Sequence, residues 1–125
     1  MECPTLTLGT EADVDQTHVV HQTKTVYDGM LAEKWRKQDV ALLALKQQLD
    51  AECYRIAETD GAQRAMEYGV RAQETLNRMQ KRHSEELSLL HERYQQTLNK
   101  MIRETDSNEA QNNNIRGGIE QQLSN

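Results

Sequence analysis

Glu58-Thr59-Asp60-Gly61-Ala62-Gln63 interrupts an otherwise regular apolar repeat, and how this stretch is read decides the fold. On either side, from Met30 to Asp106, there is no proline, and Ala, Glu, Lys, Arg and Leu dominate, as in a long helix or coiled coil. An eleven-residue frame accommodates this region better than a strict heptad. The heptad drawn from Trp35 puts Gln63, Gln73, Asn77, Gln80 and Ser84 in the seam. The eleven-residue frame reads Leu31, Trp35, Gln38, Leu42, Leu45, Leu49, Cys53, Ile56 and Asp60. After one skipped residue it continues through Ala65, Tyr68, Ala72, Leu76, Met79, His83, Leu87, Leu90, Tyr94, Leu98, Met101 and Thr105. A period of eleven keeps a helical seam nearly straight or slightly right-handed.

The skip falls at Asp60-Gly61 and admits two readings. Either a continuous helix adjusts locally at Gly61, or Asp60 caps a second helix, with Gln63 completing a capping box, and the chain folds into a hairpin. The continuous helix is the preferred expectation. Only Asp60 and Gly61 would be left to reverse the chain, whereas a helix interior tolerates one glycine for about 1 kcal/mol. Such a helix of roughly 80 residues would be a rod of about 120 Å. It could not bury its own leucines, so the isolated chain is expected to associate.

Outward from this helix the composition changes. Residues 1–24 hold Pro4, Gly9, repeated threonines and the acids Glu2, Glu11, Asp13 and Asp15, and read as a disordered acidic arm. The helix is expected over 25–106, opened by a Thr25-x-x-Asp28 cap and closed by Thr105-Asp106-Ser107-Asn108. Residues 107–125 are rich in Asn and Gly and read as a flexible tail with one short helical patch at Ile115, Ile119 and Leu123. The fold class is therefore all-α, a long extended helix forming a coiled coil or multi-helix bundle with partner chains. Leu43, Met66, Leu89 and Ile102, each next to a seam position, and Val70 widen the apolar face, which favours contact with more than one neighbour.

The 125 residues are 36% hydrophobic, 28% charged and 4% aromatic, with net charge −5, which argues against a large globular core. No apolar run approaches a membrane span, so no membrane insertion is expected. The start of the chain resembles neither a signal peptide nor a myristoylation site, and an intracellular place is expected, cytoplasmic or cytoskeletal, with the nucleus left open. Cys3 and Cys53 form no metal-binding or disulfide pattern. His83 and His91 are eight apart, whereas helical metal ligands stand three or four apart, so no metal is expected. No nucleophile elbow, P-loop or dinucleotide fingerprint occurs, so neither a catalytic residue nor a cofactor is expected and the protein is read as no enzyme.

Function is therefore expected to be assembly: a non-enzymatic scaffolding subunit joining protein helices in a larger complex, cytoskeletal, ciliary, tethering or similar. A hetero-complex is favoured over a homo-oligomer. The partner-binding residues are Leu31, Trp35, Leu42, Leu45, Leu49, Ile56, Leu76, Met79, Leu87, Leu90, Tyr94, Leu98 and Met101, with register set at Gln38, Asp60, His83 and Tyr94. Two alternatives remain: a nucleic-acid-associated coiled coil using the basic 64–82 region, and a virion scaffold. Nucleic acid is disfavoured because Glu67-Arg71 and Glu74-Arg78 have the spacing of ion pairs on a solvated helix face.

Overall fold

The computed structural model describes residues 2–8 and 17–124, with the helical side chains described over 18–107. Two helices make up the fold, α1 (Thr17–Asp60) and α2 (Ala62–Ser124), and no strand occurs among the described residues. The chain is all-α.

The expected continuous helix is replaced by a reversal at Gly61. Gly61 has φ +94°, a left-handed conformation that non-glycine residues rarely adopt, and it is the single residue between the helices. Its carbonyl accepts the Ala65 amide at 3.3 Å, so Gly61 ends one helix and starts the next. The capping role that the hairpin alternative gave to Asp60 passes to the Gly61 backbone, and Asp60 is exposed at the helix end rather than forming the expected seam layer. One left-handed residue suffices because both helix termini share it. Glycine is costly inside a helix but favourable at a helix end, where the left-handed backbone it adopts freely is the one required.

Pairs then step outward from the turn in antiparallel register. The Cys53 thiol donates to the Ala65 carbonyl at 3.4 Å, Gln38 Nε2 to the His83 carbonyl at 3.0 Å, and Lys34 Nζ stands 3.8 Å from Glu86. These contacts lie in the first of two compact units, built from 30–90 with residues 2–4. Leu31, Ala65 and Leu87 are its buried apolar side chains.

The second unit comprises, among the described residues, 5–8, 17–29 and 91–124. Tyr27 and Tyr94 stack with centroids 4.2 Å apart and planes 5° from parallel. Leu6, Val20 and Leu98 are buried. Part of the expected disordered arm is thus placed. The Leu6 amide donates to Asp28 Oδ1 at 3.0 Å, Thr7 and Gln95 exchange bonds of 2.9 and 2.8 Å, and His91 Nε2 lies 3.0 Å from the Thr5 carbonyl. Residues 9–16 of that arm lie outside the described residues.

The helix limits also move. α1 starts at Thr17, and Thr23 and Thr25 return their hydroxyls to carbonyls four residues back, so Thr25 is an interior residue and not a cap. Asp28 accepts from Lys24 and Leu6. α2 runs past the expected stop at Asp106 to Ser124, since Ser and Asn cost only tenths of a kcal/mol each in a helix, ~0.5 on average. The side chains of Ile115, Ile119 and Leu123 lie outside the described residues.

Candidate interaction surface

The thirteen residues assigned to partner binding all lie against the chain itself. Leu31, Leu87 and Leu98 are fully buried, and Trp35, Leu42, Leu45, Leu49, Ile56, Leu76, Met79, Leu90, Tyr94 and Met101 are half-buried. The eleven-residue frame thus marks the intrachain seam. Its register layers Gln38 and His83 meet each other through the Gln38 amide.

Gln38 carries a local cost. Its Nε2 is committed to the His83 carbonyl, which fixes the amide orientation, and its buried Oε1 has no hydrogen-bond partner among the described residues. An unsatisfied buried acceptor costs about 1–3 kcal/mol, so this layer favours one register at the expense of stability.

The helix positions beside the seam form two flanks in the first unit. Residues just before a seam position share one flank, as the Lys34–Glu86 pair demonstrates. On α2 this flank carries Arg64, Arg71, Arg78 and Arg82, all exposed, with Glu67 between the first two and Glu86 one turn beyond the last. The pairs expected at Glu67-Arg71 and Glu74-Arg78 do not close to ion-pair distance. Arg78 Nε donates instead to the Glu74 carbonyl at 3.4 Å. Across on α1, Arg55 grips Glu52 and holds its carboxyl below the usual range, chiefly by the Arg55 side-chain hydrogen bond.

Residues just after a seam position share the other flank. Asp39 and Gln80, both of this kind, line one pocket of about 210 Å³ with Trp35, Gln38, Leu42 and His83. Leu43, Tyr54 and Met66 stand on the same flank and are 55%, 69% and 68% exposed. The α2 half of this flank has no charge between Met66 and Ser88: it presents Gly69, Gln73, Asn77, Gln80 and Ser84. The α1 half alternates in sign through Arg36, Asp39, Lys46 and Asp50. Arg36 pairs with Glu33 at 2.9 Å, while Asp39, Lys46 and Asp50 make no ion pair among the described residues.

Adjacency to the seam had drawn attention to Leu43 and Met66, but Tyr54 and the charge alternation went unread because both acquire a meaning only once α2 lies beside α1. The arm's docking had one signal, the alternation Thr5-Leu6-Thr7-Leu8, which suits an extended segment with one apolar side.

Among the described residues, no group of His, Cys, Asp and Glu is suited to a metal and no helix is long and apolar enough to cross a membrane. The chain matches no protein-family model, no curated protein and no solved structure.

Proposed function

We propose that the protein is a non-enzymatic assembly subunit that binds helices through the flank following the seam in its first unit. The observation that supports this is the composition of that flank: Leu43, Tyr54 and Met66 stay exposed beside an α2 surface without charge. Uncharged helix surface with apolar anchors can be desolvated cheaply, whereas the arginine-bearing flank would have to surrender charge hydration. The seam itself is occupied, so partners bind beside it and not in place of α2. An intracellular complex of the cytoskeletal, ciliary or tethering kind is the setting this reading favours.

Leu43→Asp combined with Met66→Asp tests it, using cross-linking and affinity purification of the full chain from its native cell. Loss of cross-links from other helical chains to this flank is expected, with circular dichroism unchanged. An unaltered set of cross-links overturns the proposal. The exposed arginines at 64, 71 and 82 favour nucleic acid as the second reading, which requires binding that weakens steeply as salt rises.

A further inference from the structure

We infer that the occupant of this flank is a second copy of the chain, related by a two-fold axis lying across the flank at the level of Leu43. The inference rests on the proposed role of the flank and names its partner. Gln38 stands opposite His83, and the helices are antiparallel, so each step along α1 is matched by a step back along α2. Leu43, five residues beyond Gln38, is therefore level with Arg78, five before His83, and next to Asn77 on the flank in question. A two-fold axis at this level stacks α1 on α1 and α2 on α2, each pair antiparallel, and both pairs are centred at once.

The charges on α1 are self-complementary under this operation. Leu43 meets Leu43 of the second copy, Asp39 faces the second copy's Lys46, and Lys46 faces its Asp39. Farther from the axis, Arg36 faces the second copy's Asp50. On α2, Asn77 meets its own counterpart, Gln73 meets Gln80, and Met66 meets Ser88. No like charges meet, as an isologous interface requires. The same operation applied to the opposite flank fails, because it sets Arg71 against Arg82 twice. The operation also brings the second copy's Lys46 to the rim of the pocket where Asp39 stands, above Trp35 and Leu42. At about 210 Å³ the pocket is smaller than the roughly 300–1,000 Å³ of sites for small organic ligands, a size that suits one side chain.

Sedimentation equilibrium on the purified full chain tests the inference, with Asp39→Lys, Lys46→Asp and the double variant beside the wild type. The wild type should be a dimer at micromolar concentration. Each single substitution creates two like-charge contacts per dimer and should weaken association by about tenfold or more, while the double variant restores opposite charges and should return within about threefold of wild type. Circular dichroism of all four checks the fold, and the emission of the single Trp35 reports on the pocket. A monomeric wild type, unaffected single variants, or a double variant no better than the singles each overturns the inference. Should the pure chain be monomeric while Leu43-dependent cross-links to other proteins persist in cells, assembly through this flank stands and the second copy is excluded as its occupant.

Discussion

In the unit holding Leu6, Val20 and Leu98, the positions that follow the seam receive a third segment: Asp28 holds Leu6 of the arm, His91 holds Thr5 and Gln95 holds Thr7, and Leu6 is buried. In the unit holding Leu31, Ala65 and Leu87, the corresponding positions carry exposed Leu43, Tyr54 and Met66. Two helices alone cannot enclose an apolar face broader than one seam, because each presents only part of its circumference to the other. The chain supplies the third element itself in one unit. In the other it contributes only residues 2–4 and leaves Leu43, Tyr54 and Met66 exposed, and the proposed second copy covers that stretch.

The difference can be broken most forcefully at the seams. Leu87→Ala and Leu98→Ala each remove a fully buried leucine, from the first and second units respectively, and should each destabilise by about 2–5 kcal/mol. Urea unfolding followed by circular dichroism and by Trp35 emission separates the two. Trp35 lies in the first unit, so Leu87→Ala should shift both signals, and coincident shifts for Leu98→Ala would show that the units unfold together.

Leu6→Ala sharpens the comparison at the third element, at a cost of roughly 1–3 kcal/mol that is felt locally. Hydrogen exchange should rise at the arm amides of Leu6 and Thr7, with exchange between Leu31 and Leu87 unchanged. Uniform loss of protection would mean that the arm holds up the whole fold.

Gly61→Val addresses the turn on which the first unit depends. A Cβ at Gly61 would meet no atom within 4 Å, so the penalty comes from the left-handed backbone alone, about 1–2 kcal/mol. Helicity should be retained with a lower melting temperature. A neutral result would show that the turn accepts a right-handed residue, as a continuous helix would.

Gln38→Leu should have the smallest effect, within about 1 kcal/mol and in the stabilising direction, since it removes a buried acceptor without a donor. Its consequence should instead be looser register, measured as broader cross-link distributions between 31–49 and 76–90. Strong destabilisation would give the Gln38–His83 bond an energetic role in place of a specifying one.

The eleven-residue frame was legible from the chain alone, because burial follows helical angle and helical angle follows residue number: of its members only Asp60 is exposed. The all-helical class could be read on the same local grounds. What lay beyond reach was which surface each seam residue would meet. A stripe looks the same whether the complementary stripe belongs to another chain or lies beyond one glycine, and the left-handed φ of Gly61 settles that question by bringing α2 back along α1. Tertiary structure alone then assigned the flanks. Arg36, Asp39, Leu43, Lys46 and Asp50 are an unremarkable helix surface until α2 gives them a level and an uncharged neighbour, because complementarity is a property of faces that only packing creates.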